Sequence, residues 1–266
     1  MTSELYTLGY GPLSLSIMAS RTADSHADFF TPLLNSGMNV LDIGCGPGTI
    51  TIGIAERVRP GRVIGVDVSL EQTKAVTERV SLTDLNVAFE PADAYALPFP
   101  DGHFDAVFIS ALLGNLRDPQ AGLNEAYRVL KPSGVMGIKE FDEGANISFP
   151  ELEARTRLQE LYMRLRRHHG HDPNVGRKIR SYLNATGFVD IRAWAIFEPA
   201  TPRRGATGSA FLETMVRDEW GQLFVDLGWA TGAQIAEWVA ESEAYRSGRE
   251  DFCARAWVEA TARKHG

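Results

Sequence analysis

The segment Val40-Leu41-Asp42-Ile43-Gly44-Cys45-Gly46-Pro47-Gly48 constrains this chain more than any other. A short apolar run feeds three glycines at alternating positions, and a helix pattern opens at Thr49. Glycines there allow a sharp turn and bring bare N–H groups up to a ligand. The helix start adds a positive dipole end that favours a carboxylate or phosphate. A second apolar run, Arg62-Val63-Ile64-Gly65-Val66, ends on Asp67. A carboxylate at the end of the second strand is placed to grip ribose hydroxyls. Asp42, the loop, Asp67 and the later Asp93 fall in order at strand ends, which points to an adenosine-type nucleotide.

The glycine spacing is G-x-G-x-G, and Thr49 occupies the third glycine position of a dinucleotide fingerprint. That spacing argues against a nicotinamide dinucleotide. Tyr127-x-x-x-Lys131 matches the Tyr–Lys spacing of short-chain reductases, but Lys131 runs directly into Pro132-Ser133-Gly134, a turn.

The chain resembles the class I S-adenosylmethionine (SAM)-dependent methyltransferases, nearest the ubiquinone/menaquinone-type and small-molecule branch. The likeness is strong over about residues 30–140. It rests on Val40–Gly48, Val63–Ser69, Pro91-Ala92-Asp93-Ala94 with Leu97-Pro98-Phe99, Phe104-Asp105-Ala106-Val107, and Arg128-Val129-Leu130-Lys131-Pro132-Ser133-Gly134. The resemblance implies SAM as cofactor and S-adenosylhomocysteine as product. It implies that Gly44, Cys45, Gly46 and Gly48 lie under the methionine part and that Asp42 orients the ammonium. Asp67 then holds the ribose, Val68 and Gln72 pack on the adenosine, Asp93 and the Ala94 N–H meet the adenine, and Ser110 joins the set. In many relatives the N-terminal segment closes over the cofactor. Tyr10, with Tyr6, would there exclude water and Arg21 would pair with the cofactor carboxylate; ordinary packing is the alternative. Many relatives carry Glu-His where this chain has Gly114-Asn115, so no role of that histidine transfers.

The chain has 266 residues with a formal net charge of −7, 44% hydrophobic and 23% charged, an ordinary soluble balance. An acidic chain lacks the basic face that nucleic acid needs. No apolar run approaches a membrane span, and the N-terminus lacks a basic-then-apolar signal pattern. The two cysteines, Cys45 and Cys253, lie far apart, which fits a reducing, cytoplasmic setting. The expected partner is a small molecule, with neither nucleic acid nor membrane; a homodimer stays open.

Strands alternate with helices, so the fold class expected is α/β: a doubly wound, mostly parallel seven-stranded sheet of the Rossmann-like methyltransferase type. The strands are placed at about 39–43, 62–66, 87–90, 104–110, 134–139, 188–197 and 251–263. Helices are expected over Thr22–Leu34, Thr49–Val58, Ser69–Val80, after Asp118-Pro119, from a capping box at Ser148-Phe149-Pro150-Glu151 to His168, and from Asp172-Pro173 to Gly187. Two more helical stretches, 207–227 and 232–246, separate strands six and seven. The domains expected are an N-terminal lid at 1–36, a SAM-binding domain at 37–202 and 249–266, and a helical substrate cap at 203–248.

Methyl transfer needs an acceptor held close and collinear in a dry site, and a base only when the acceptor must lose a proton. Glu140, which together with Asp142 follows the fifth strand, is one catalytic candidate; both also read as exposed loop carboxylates. His168 and His169, near His171, are others, with a solvated loop as the alternative. No metal set is expected, because partners at ligand spacing are missing. Arg155–Arg180 holds eight basic residues and only Glu160 and Asp172 as acids, so Arg164, Arg166 and Arg167 are placed to attract an anionic acceptor or simply to face solvent. The function expected is methyl transfer from SAM to a small organic metabolite, anionic or aromatic. A cyclase or SAM-binding regulator on the same fold is the alternative, and a reductase a weaker one.

Overall fold

The computed structural model describes residues 6–69, 71, 76–78, 80, 84–199, 207–246 and 252–266. Its strands are β1 Asn39–Ile43, β2 Arg62–Asp67, β3 Val87–Pro91, β4 Phe104–Ser110, β5 Leu130–Phe141, β6 Ile147–Phe149, β7 Val189–Pro199 and β8 Phe252–Arg263. The helices are α1 Pro12–Ala19, α2 Ala23–His26, α3 Thr49–Val58, α4 Pro119–Val129, α5 Glu153–His168, α6 Ile179–Thr186, α7 Thr207–Met215, α8 Gly221–Asp226 and α9 Gly232–Arg246. A single π-turn, Val216–Trp220, joins α7 to α8.

Among the described residues one eight-stranded sheet runs β3-β2-β1-β4-β5-β8. The first five strands pair in parallel, and β8 is antiparallel to β5. Along one side β8 meets β5 and then the short β6; along the other it meets β7. β1 sits between β2 and β4, and Val40, Leu41 and Ile43 are all buried. A strand covered on both faces needs an unbroken apolar run, and Val40–Ile43 supplies one apart from Asp42. One face packs on α4 and α6 through Leu123, Ala126, Val129, Ile179 and Leu183. The other packs on α2 and α3 through Ala23, Ala27, Ile54 and Val58. A separate apolar cluster joins α5 to α7, α8 and α9 through Leu158, Tyr162, Leu165, Phe211, Trp220, Phe224 and Ile235, with Leu13 and Ile17 of α1 against it.

Caps follow the sequence where the signals are local. Asp118 accepts from the Ala121 N–H at 3.0 Å, with Pro119 in the first turn of α4. Thr231 and Gln234 exchange bonds at the start of α9, a capping box.

The structure departs from expectation in four places. The Thr22–Leu34 helix is only the four-residue α2, followed by a turn and a 3₁₀ turn at Thr31–Leu33. Pro32 removes a donor and crowds the preceding turn, so the helix cannot continue through it. The break lets Phe30 lie on the sheet, stacked on Phe108 with centroids 5.2 Å apart. Second, Ser148 does not cap a helix. Ile147–Phe149 pairs with β8 as an eighth strand, and α5 starts only at Glu153. Pro150 disfavours the helical region for Phe149, and the ladder satisfies its backbone instead. Third, β5 begins at Leu130, with Ser133 at φ +60° inside it, and extends through Glu140 and Phe141. Fourth, the chain between Asp172 and α6 is a turn and a 3₁₀ turn, Gly176–Lys178, rather than helix. Pro202, Gly205 and half of the expected Ser69–Val80 helix, including Gln72, lie outside the described residues.

Phe30 needs the missing side chain at Gly137, because a Cβ there would fall on its ring. Gly137→Ala should destabilise the protein by about 1–3 kcal/mol. Chemical denaturation of Gly137→Ala, Phe30→Leu and the double variant should reveal coupling between the two sites; strict additivity would show that they do not share this contact.

Candidate active site

The glycine loop leaves β1 with Gly44, Gly46 and Gly48 at φ +77°, +49° and +73°. Gly48 is doubly constrained: a Cβ would stand 2.5 Å from Val76 and 2.7 Å from Phe89. The Gly44 and Cys45 N–H groups donate to the Val66 carbonyl at 2.8 and 3.0 Å, and the Gly46 N–H donates to Asp67 Oδ2 at 3.0 Å. Asp67 Oδ1 accepts from the Ser69 N–H at 2.9 Å. Burial raises the Asp67 carboxyl above its ordinary value, opposed by the Ser69 and Gly46 N–H groups. Beneath the loop, buried Asp42 accepts from Thr51 Oγ1 at 2.6 Å, and burial pushes its pKa up to about 7.

The remaining described cofactor candidates lie in and beside this loop or at the ends of β2, β3 and β4. Val68 is 72% exposed, an unusual state for a valine beside a buried strand. Asp93 is exposed, its Oδ1 accepting from Tyr95 N–H at 2.9 Å, and Ala94 follows it. Ser110 Oγ is buried without a hydrogen-bond partner. Cys45 is buried, and burial raises its thiol well above the ordinary value.

The N-terminal segment lies over the loop. Met18 Sδ is 3.8 Å from the point a Gly46 Cβ would occupy, and Tyr6 Oη is 3.7 Å from the same sulfur. The Tyr6 and Tyr10 rings are 5.2 Å apart, and the Tyr10 hydroxyl bonds Ser69 beside Asp67. Burial pushes the pKa values of both tyrosines up to about 12, so both stay neutral donors.

Next to Met18 and Tyr6 opens a narrow cavity of about 30 Å³. Its walls come from the N-terminal segment, the loop after β4, the end of β5, α5, α7 and β8. Arg21, Arg166 and Arg255 line it together with one carboxylate, Glu143, and several aromatic rings. Arg21 stands over the Trp257 ring at 5.3 Å.

Glu140 is not an exposed loop residue. It is fully buried at the end of β5, and its Oε1 accepts from the N–H groups of Leu112 and Leu113 at 2.7 and 2.6 Å. Burial raises its pKa to about 7 against those bonds. It braces the loop that lines the cavity but does not itself line it. Asp142 is buried too, in a bidentate pair with Arg177 at 2.7 and 2.6 Å. The histidines do not come to the cavity. His168 is exposed with its ring edge-on to Trp229. His169 and buried His171 both bond Thr7 Oγ1, at 2.9 and 2.8 Å, and burial lowers both rings, His171 to about 4. They fasten the N-terminal segment to the end of α5. Of the basic run, Arg164 is exposed and stacks on Trp229, and Arg167 is exposed. Arg166 alone turns inward, because it falls on the helix stripe of Leu158, Tyr162 and Leu165.

Sequence reasoning missed Arg255, Trp257, Glu143 and Asn115. Arg255 and Trp257 have the period-two spacing of one strand face. That signal is weak until β8 is known to pair beside β5. Gly114 and Asn115 acquire a local reason: a Cβ at 114 would strike Phe141, and Asn115 Oδ1 accepts from Arg166 at 2.8 Å.

Glu140 yields a pH prediction. Its carboxyl keeps a proton to about pH 7 in the folded state but only to about 4.5 when unfolded. Ionising it therefore costs stability as pH rises across that window; the cost is absent below and complete above. Glu140→Gln should gain stability relative to wild type between pH 4.5 and 8, by up to about 3 kcal/mol. Denaturation curves at the two pH values with an unchanged difference would overturn the buried-acid assignment.

Residues 40–134 match a family described as Methyltransferase domain. An uncharacterised methyltransferase of Schizosaccharomyces pombe is 34% identical over 178 residues, 64% of each chain. A demethylmenaquinone methyltransferase of Thermus thermophilus is 38% identical over 102 residues, 38% of this chain and 46% of that one. The matches therefore span less than two thirds of these relatives' own lengths. The fold is similar to that of phosphoethanolamine N-methyltransferase 2 of Haemonchus contortus, solved with S-adenosylhomocysteine, with a TM-score of 0.55 and 22% identity over 87% of this chain and 50% of that one. Glycine loop, strand order and matched segment agree: residues 40–134 match the methyltransferase domain family, and the fold around them is of the Rossmann-like methyltransferase type.

Proposed function

We propose that this protein transfers a methyl group from SAM to a small organic molecule seated in the cavity beside the glycine loop. The observation that carries this reading is the adjacency of loop and cavity: Met18 borders both, and Tyr6 beside it lines the cavity. The crevice suits the cofactor. The N-terminus of α3 at Thr49, an exposed Val68, an orphaned Ser110 hydroxyl and the carboxylates Asp67 and Asp93 at strand ends provide donor, apolar and acceptor surface for an aminoacyl nucleoside.

In this reading Asp67 accepts from the ribose hydroxyls with the lone pairs that Gly46 and Ser69 leave free. Asp93 and the Ala94 N–H take the adenine edge, Val68 and Gln72 flank the adenosine, and Arg21 takes the amino-acid carboxylate. Gly44, Cys45, Gly46, Gly48, Asp42, Ser110 and Tyr10 complete the cofactor set. Bound SAM supplies an electrophilic methyl group. Tyr6, Tyr10 and Met18 exclude water from it. Glu140 acts as a positioning residue, fixing the loop from Ala111 to Asn115 on which the acceptor rests. Of the histidines considered as bases, His169, with His171, anchors the lid through Thr7 instead, and His168 packs against Trp229 at the surface.

The helices of 203–248 act as the substrate cap together with α5, with residues 1–36 as lid and the rest as cofactor domain. The acidic balance favours a small-molecule partner over nucleic acid, and we place the enzyme in the cytoplasm, with a homodimer as a compatible assembly. No helix among the described residues is long and apolar enough to cross a membrane.

Turnover of methyl-labelled SAM with a metabolite extract tests the reaction. Transfer of label supports it, whereas S-adenosylhomocysteine binding with no transfer to any acceptor favours the cyclase or regulator. Asp67→Ala should weaken S-adenosylhomocysteine binding by about tenfold or more, the worth of charge-assisted bonds to the ribose. Calorimetry on the folded variant with unchanged affinity would remove Asp67 from the site.

A further inference from the structure

The cavity wall is rich in donors and poor in counter-charge. Arg166 is 1% exposed, and its guanidinium bonds only neutral acceptors: Tyr162 Oη at 3.0 Å, the Gly114 carbonyl at 2.9 Å and Asn115 Oδ1 at 2.8 Å. Its Nε–H has no partner, and neither has the Nε1–H of Trp257, which is 3% exposed. Arg255 has no hydrogen bond or ion pair from its guanidinium among the described residues; it only stands over Phe211 at 5.3 Å. Its cross-strand neighbour is Glu198, but that carboxylate is taken by Lys139 at 2.7 Å. The cavity's own acid, Glu143, accepts from Asn146 at 2.8 Å and Gln159 at 3.4 Å.

A buried guanidinium that meets no carboxylate is costly; that holds for Arg166, on which Glu143 acts only from beyond hydrogen-bond distance, while Arg255 is half-buried. Assigning Arg21 to the cofactor's carboxylate still leaves two guanidiniums against one carboxylate. Between them lie the rings of Phe141, 4.2 Å from Arg166, Tyr162, Phe211 and Trp257.

We infer that the methyl acceptor is a flat, apolar molecule carrying one anionic oxygen group, a carboxylate or a phosphate monoester, held by Arg166, Arg255 and the Trp257 indole N–H. The inference rests on the proposed methyltransferase reading of the crevice. It moves anion recognition from the solvent-facing arginines of α5 to the inward one and to β8. Arginine suits the task, because its planar fork bonds two anionic oxygens and its face stacks on rings.

Calorimetry on protein saturated with S-adenosylhomocysteine tests it, with 4-hydroxybenzoate and phenyl phosphate as first members of carboxylate and phosphate panels and 4-hydroxybenzamide as neutral isostere. An anion should bind at least tenfold more tightly than the amide, and the panel that binds names the group. Arg255→Gln should weaken that anion about tenfold, Arg255→Lys less, and both should leave the melting temperature and S-adenosylhomocysteine affinity unchanged. Equal binding of anion and amide, or no binding by either panel while S-adenosylhomocysteine binds, overturns the inference and leaves the methyltransferase reading standing. So does an Arg255→Gln variant that loses affinity for S-adenosylhomocysteine but not for 5′-methylthioadenosine, which lacks the amino-acid end. Absence of S-adenosylhomocysteine binding by the wild type overturns both.

Discussion

A 3.0 Å hydrogen bond from the Gly46 amide to Asp67 Oδ2 ties together two loops that leave neighbouring strands. It forms because β1 and β2 pair in parallel and in register, Ile43 against Val66, so both loops emerge at the same edge of the sheet. The Gly44 and Cys45 amides close on the Val66 carbonyl at the same point. The left-handed conformation at Gly48 then starts α3, whose Thr51 reaches back to Asp42 on β1. A carboxylate, three glycines and a helix start thus depend on one register. A slip by one residue would turn Asp67 to the other face of the sheet and leave the loop amides without their acceptor.

β5 distributes charge by the same alternation. Lys139 and Glu140 are adjacent, and both are essentially fully buried. Lys139 sits opposite Glu259 in register and bonds Glu198 at 2.7 Å, Glu259 at 3.2 Å and the Ser25 carbonyl at 3.0 Å. Trp194 on β7 donates to Glu259 from the far side at 2.9 Å. Glu140 points the other way and holds the loop after β4. Buried ionic groups of this kind rarely add net stability, but removing one partner is expensive, so they fix geometry. Here they fix where β8 lies against β5, and with it where Arg255 and Trp257 stand.

The parts of this arrangement that could be read from the sequence are those whose causes are local. The Val40–Gly48 loop and the Asp118-Pro119 start of α4 each state their conformation within a few residues, and each appears as expected. Phe30 was hidden because its partner, Gly137, is remote and contributes only the lack of a side chain. Ile147–Phe149 was hidden because a three-residue strand has no period to detect; it exists only because β8 passes beside it. Glu140 looked like a loop acid because charge normally marks exposure. The basic run read as one face, yet Arg166 departs from Arg164 and Arg167 by pointing into the apolar stripe of α5.

The different character of cofactor side and cavity follows from how their walls are assembled. The crevice is made by β1, β2, β3 and β4 with their loops, a continuous stretch held by parallel pairing. The cavity draws on α1, α5, α7 and β8, which meet through side-chain packing around Tyr162, Phe211 and Trp220 and share no ladder with the parallel strands except through β5. Side-chain packing tolerates volume-conserving change better than a ladder tolerates a change of register. The wall that meets the acceptor is thus free to vary while the wall that meets the nucleoside is held, which is why shared fold fixes the one and leaves the other to the particular residues that Arg166, Arg255 and Trp257 are.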